Sequence, residues 1–188
     1  MPHKVNVLCP ACAANAVFEF AKVVKIEFKK DVKYFKKSKL FEYKKFTNTD
    51  GHKWHGAIFY HGLKSTNNIK DLPEGYSVDD FQHGKNGYKP FNIGTKVCNT
   101  CGVRKKSRLN WPQDAFFQCD VKNNILWAFD RKSLVALRDF IASDERDIKK
   151  HSYQSFLLHI PAIFLDRKNR EKVIKKLNKL LQCNHSRT

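Results

Sequence analysis

Val97–Arg108 reads VCNTCGVRKKSR: two cysteines with two residues between them, a glycine, and then four basic side chains with no acid among them. A matching pair, CPAC, stands at Cys9–Cys12. A Cys-x-x-Cys turn aims two thiolates at one point, and Zn²⁺ takes four such soft ligands in a tetrahedron. Cys9, Cys12, Cys98 and Cys101 are therefore the expected ligands of a single Zn²⁺. Four thiolates fill the shell and leave no position for a substrate, so the ion is expected to be structural. Gly102 suits the turn that closes the second pair, because a residue without Cβ enters the left-handed region freely.

Two other readings of these cysteines exist, a redox pair or inert buried thiols. A thioredoxin-like motif would follow a strand and open a helix. Here a Gly/Asn-rich stretch precedes Val97, and no helical pattern follows either pair. Through CPAC and CNTCG the chain resembles the zinc-ribbon and related four-cysteine knuckle proteins. The resemblance covers the two knuckles alone. It implies one four-thiolate zinc site, with everything between Cys12 and Cys98 as a long insertion. Cys119 and Cys183 have no xx-Cys partner; Cys119 reads as a core thiol, and Cys183 lies near the tail.

Outward from the cysteines, the chain has two textures. In VFEFAKVVKIEFKK, Phe18, Phe20, Val24, Ile26 and Phe28 share one parity, with an interruption at Lys22, which predicts a long half-buried strand. VKYFKK (32–37) and KLFEYKKF (39–46) read as further strands with lysines on the open face. Asp50-Gly51 supplies a turn, and WHGAIFYHG (54–62) another strand. Residues 64–95 are rich in Asn, Gly, Asp and Pro and read as loop. AFFQCDV and ILWAF flank Lys122-Asn123-Asn124 as a hairpin.

Then the period changes. Asp130 caps a predicted helix with Leu134, Leu137 and Ile141 on one face. SYQSFLLHI reads as a short helix stopped before Pro161. Behind Asp166, Val173, Ile174, Leu177, Leu180 and Leu181 form the apolar stripe of the clearest helix. The expected class is α+β: an antiparallel sheet with an embedded four-cysteine site, and a helical C-terminal part. The corresponding division is 1–130 and 131–188.

Among the 188 residues, 36 Lys+Arg face 18 Asp+Glu, a net charge of +18. Such an excess repels itself and points to an anionic partner. Three clusters carry it. Ten lysines lie between Lys22 and Lys45, among them Lys33, Lys36, Lys37 and Lys39. Arg104, Lys105, Lys106 and Arg108 follow the second knuckle. Lys168, Lys172, Lys175, Lys176 and Lys179 stripe the last helix. Arginines so placed suit bidentate phosphate contacts. Tyr34, Tyr43, Trp54, Tyr60, Tyr88 and Trp111 are candidates for base stacking, Trp111 foremost; Trp127 reads as core.

A membrane is not the expected partner. The longest apolar run, FLLHIPAIFL (156–165), falls far short of the ~20 residues of a span, and no interfacial apolar anchors accompany the lysines. The first residues carry no long apolar leader. A cytoplasmic location is expected, where Cys pairs serve as metal ligands.

Two arrangements hint at catalysis. Asp31, Glu42 and Lys44 resemble the metal-dependent nuclease pattern of two carboxylates and a lysine. Asp50, His52, His55 and His61 offer acid–base or metal chemistry, although a turn with surface histidines fits that spacing better. No nucleophile triad or phosphate loop is readable. The expectation is a non-enzymatic zinc protein binding DNA or RNA, a subunit of a nucleoprotein assembly for transposition, defence or RNA-guided work. The alternatives are a metal-dependent nuclease and an adaptor for an acidic protein partner.

Overall fold

Apolar residues at every second position build the first strands. The computed structural model describes residues 2–83 and 91–182; Tyr88 and Cys183, named above, lie outside them. β1 (Lys4–Leu8) opens the chain, and β2 (Asn15–Phe20) follows the first cysteine pair. In β2, Ala16, Phe18 and Phe20 are buried on one face, and Asn15, Val17 and Glu19 point to the other. The long strand expected through Phe28 is interrupted at the buried Ala21 and resumes as β3 (Lys22–Lys25). The chain changes sheets there, as corners of packed sheets require.

VKYFKK forms a helix, α1 (Val32–Lys37), where a strand was expected. Six residues carry too little pattern to separate the two periods. Val32 and Phe35, three apart, both join the apolar core, which a single helical turn achieves and a strand does not. The lysines of this stretch consequently stand on a helix and its flanking turns. β4 (Glu42–Thr47) and β5 (Lys53–Phe59) form the expected hairpin around the Asp50-Gly51 turn.

The stretch 64–95, expected to be loop, holds short 3-10 turns at Thr66–Asn68 and Val78–Phe81 and ends in a strand, β6 (Ile93–Val97). Gly94 disguised that strand. It lies opposite Phe20, and a Cβ on it would come within 2.2 Å of the Glu19 carbonyl oxygen. Only glycine lets the two backbones approach so closely. RKKSR is itself a strand, β7 (Arg104–Arg108).

The chain divides into two compact units, Met1–Lys4 with Cys9–Asn110, and Val5–Leu8 with Trp111–Thr188. In the first, β6 lies between β2 and β7, and β5 between β3 and β4, all antiparallel. Its core is aromatic: Phe35, Phe41, Phe59 and Phe81 are buried with Ile26 and Ile69, and the Phe41 and Phe81 rings are 4.7 Å apart.

In the second unit, β8 (Phe117–Val121) and β9 (Asn124–Ala128) form a hairpin. Its two-residue turn, Lys122-Asn123, has φ of 52° and 63° at the two positions, as a primed turn demands. The Asn6 N–H donates to the Phe129 carbonyl at 2.6 Å, and the Phe116 N–H donates to the Asn6 carbonyl at 3.0 Å, so the start of the chain adds to this unit.

α2 (Arg131–Ala142) begins where predicted: the Ser133 N–H donates to Asp130 Oδ1 at 2.7 Å, and the Asp130 N–H returns a bond to Ser133 Oγ at 2.9 Å. α3 (Gln154–Leu157) ends before Pro161, α4 (Ala162–Leu165) is a short turn after it, and α5 (Arg167–Gln182) is the long helix. Asp166 caps α5, accepting the Lys168 N–H at 3.0 Å. Val173, Leu177 and Leu181 bury one face of α5 with Leu134, Leu137 and Ile141 of α2. The class is α+β. Among the described residues no helix is long and apolar enough to cross a membrane.

Gly94→Ala tests the close approach of β2 and β6. The added methyl meets backbone, which cannot rotate away, and overpacking of this kind costs about 1–3 kcal/mol. Urea unfolding is expected to show that loss; a midpoint equal to wild type would refute the contact.

Candidate metal centre

The two cysteine turns are built alike. After β1, the Cys9 N–H donates to the Ala14 carbonyl and the Ala13 N–H donates to the Cys9 carbonyl, both at 2.9 Å. After β6, the Cys98 N–H donates to the Val103 carbonyl at 2.9 Å. The fourth residue after the first cysteine is left-handed in both, Ala13 at φ 55° and Gly102 at φ 73°. Glycine adopts that conformation freely, and an L-alanine there costs roughly 1–2 kcal/mol. The second turn is also the loop of the β6–β7 hairpin, with Val97 opposite Arg104. This replaces the loop expected before Val97.

The turns bring four sulfurs together. Cys9 Sγ lies 3.5 Å from Cys101 Sγ, Cys12 Sγ lies 3.7 Å from Cys98 Sγ, and all four atoms are within 4.8 Å of one another. Cys9 and Cys98 are buried; Cys12 and Cys101 face solvent. The cluster can hold a metal ion.

Its electrostatics favour a cation. The backbone N–H groups of Cys101 and Thr100 hold the Cys98 thiol down to about 6 against the cost of burial. At Cys12 the Ala14 N–H pulls the other way, yet desolvation and the neighbouring Cys101, Cys9 and Cys98 sulfurs push its thiol up to about 12. Negative charge in this space is thus accepted at one sulfur at the expense of another, as for like charges sharing a site. A divalent cation lets all four ionise.

The structure places the basic residues as follows. Arg104, Lys105, Lys106 and Arg108 are all exposed on β7. Lys106 Nζ pairs with the Glu42 carboxylate and sits 4.6 Å from the centre of the Tyr60 ring. Lys33, Lys36 and Lys37 are exposed on α1 and Lys39 just after it, with Lys36 over the Tyr43 ring. Lys172, Lys175 and Lys179 are exposed on α5, while Lys176 is half-buried and donates to the Asp120 carbonyl.

The aromatic candidates are less open. Trp111 is half-buried, edge-on to Trp127 at 5.1 Å and stacked near Phe129 at 5.9 Å. Tyr60 is buried, and Tyr34 is half-buried with its hydroxyl on the Lys70 carbonyl. The Tyr43 hydroxyl meets His55 Nδ1 at 2.5 Å, and Trp54 stacks on Phe46 at 4.5 Å. Cys119 is half-buried, and burial pushes its thiol up.

The histidines that hinted at catalysis make separate contacts. Asp50 accepts the His52 N–H within its turn, whereas His55 faces Tyr43 and His61 packs elsewhere. Asp31 is buried beside α1, and Glu42 is paired to Lys106. Neither belongs to a group of three or more metal-capable ligands among the described residues. A group that no sequence spacing discloses does assemble: Glu19, His61 and His83 bring their ligand atoms within 4.8 Å of one another.

Compared with known protein families, curated sequences and solved structures, the chain matches none.

Two outcomes are expected at the cysteines. Cys98→Ser should lose the metal, measured by elemental analysis, and should unfold the first unit, since a structural tetrathiolate ion contributes on the order of 10 kcal/mol. Ala13→Gly should keep the metal and equal or exceed wild-type stability, while Gly102→Ala loses about 1 kcal/mol. Equal melting temperatures for Gly102→Ala and wild type would contradict the turn geometry.

Proposed function

We propose that this protein is a zinc-stabilised, nucleic-acid-binding subunit of a nucleoprotein complex, of the transposition, defence or RNA-guided kind, that grips DNA or RNA through phosphates and catalyses no reaction. Zinc is supported by the sulfur spacing. Sulfurs about 2.3 Å from a tetrahedral ion stand about 3.8 Å apart, close to the 3.5 and 3.7 Å between the paired cysteines.

The observation that carries the binding proposal is β7. Its four cations are exposed on a strand whose first residue lies two positions beyond Gly102. A metal at the loop of that hairpin holds the strand stiff, so little side-chain and backbone freedom is lost when phosphates dock. Arg104 and Arg108 share one side of the strand, since strand side chains alternate, and both can grip phosphate bidentately. Lys106 shares that side but is already paired with Glu42, so it contributes less. The exposed lysines of α1 and α5 add to the field of a chain at +18, which steers a polyanion towards it.

Titration with single- and double-stranded DNA and RNA over a range of salt tests this. Affinity is expected to fall steeply with salt, by a log–log slope of roughly 0.9 per neutralised phosphate on duplex DNA. Replacing Arg104, Lys105, Lys106 and Arg108 together by alanine should flatten that slope by about 3 and leave the metal content unchanged. A flat salt dependence on every polyanion, or tight binding to an acidic protein alone, would overturn the proposal.

A further inference from the structure

Glu19, His61 and His83 come from three separate stretches of the first unit, and each is held in place for its own reason. Glu19 points off the polar face of β2 at a register set by Gly94 and Thr95 of β6. His61 follows β5, where the chain runs so close to β6 that a Cβ on Gly62 would lie 2.7 Å from Thr95 Cβ. His83 follows the 3-10 turn that buries Phe81. The His61 and His83 rings are 4.1 Å apart between centres, and His83 Nε2 is 4.0 Å from Glu19 Oε1. The two side chains of that last pair are only 11% and 15% exposed.

His61 supplies the observation that points to a ligand. Its ring hydrogen-bonds the backbone of Phe81, and its Nε2 is buried with no hydrogen-bond partner among the described residues. A buried imidazole nitrogen left unpaired is costly. An imidazole anchored through one nitrogen to backbone, with the lone pair of the other turned inward, is the arrangement that metal-binding histidines use. The ring also packs perpendicular to Phe59, with centres 4.9 Å apart, which limits its rotation.

We propose that Glu19, His61 and His83 form a second metal site, specific for a borderline divalent transition ion of the zinc class. Two imidazole nitrogens and one carboxylate oxygen match that class, while a hard ion such as Mg²⁺ prefers an all-oxygen shell. The three donors leave one position to water, unlike the closed set of four sulfurs. The groups close by are His3, stacked on His83 at 4.8 Å, Lys22, and Lys4, whose Nζ is 3.3 Å from Glu19 Oε1. The Lys4 side chain is 52% exposed, so its ammonium yields Glu19 to a divalent ion and returns to solvent.

The full-length protein, stripped of metal and kept reduced, is titrated with Co²⁺, and retained metal is counted by elemental emission after gel filtration. Two equivalents per chain are expected. One gives the intense sulfur-to-cobalt charge-transfer absorption, and the other gives weaker visible bands with no sulfur contribution. Glu19→Gln, nearly isosteric with the native side chain, and Glu19→Gln with His61→Ala should each reduce the count from two to one and leave the sulfur bands at full strength. Circular dichroism of Glu19→Gln should match wild type. A single equivalent in the wild type, seated on the sulfurs, overturns the proposal. So does a second equivalent that survives the double variant.

Discussion

Four sulfurs packed within 4.8 Å of one another are a charge problem before they are a structural element. Each thiolate raises the cost of the next, and the backbone N–H groups that hold down the Cys98 and Cys9 thiols leave those of Cys12 and Cys101 pushed up. A divalent ion would remove the conflict and join the loop after β1 to the loop between β6 and β7. The sheet is arranged to suit that junction. With Val17 opposite Val97, β2 leaves the first knuckle beside the strand that enters the second. Gly94 then holds the backbones together at the far end of the same pair. A metal held by the four sulfurs would fix one end of the β2–β6 ladder, and a missing Cβ fixes the other.

The cationic surface follows from this arrangement. A hairpin loop occupied by metal ligands cannot bend freely, and its return strand is the basic one. Lysines elsewhere sit on α1 and α5, whose opposite faces are committed to Phe35 and to Val173, Leu177 and Leu181. Apolar residues pointing inward thus decide where positive charge can stand.

The cysteine pairs, the β4–β5 and β8–β9 hairpins, the Asp130 cap and the stripe of α5 were readable from residue order, because each is governed by neighbours a few positions apart. The misreadings have a common origin in distant contacts. Val32–Lys37 alternates well enough to pass for a strand, and only the core around Phe35 selects the helix. Ile93–Thr95 looked like loop because Gly94 is a turn former unless a facing strand comes within contact distance. Trp111 stood out beside the basic segment, yet Trp127 and Phe129, distant in sequence, surround its ring. Glu19, His61 and His83 share no spacing at all. Their meeting depends on a strand register, a close crossing and a buried phenylalanine, none of which a local pattern records.

The second unit takes Val5–Leu8 from the beginning of the chain and everything else from Trp111 onward. During synthesis the backbone partners of Asn6, at Phe116 and Phe129, emerge only after the whole of the first unit has left the ribosome. Cys9 begins the thiolate cluster one residue after this waiting strand, and that cluster is complete once Cys101 is made. Metal capture can therefore precede assembly of the helical unit, leaving β1 at the edge of the β1-β2-β6-β7 sheet with its partners at Phe116 and Phe129 still to come. Non-local pairing of this kind is slow and exposed to wrong partners. Early chelation shortens the search, because it leaves the waiting strand anchored at one end.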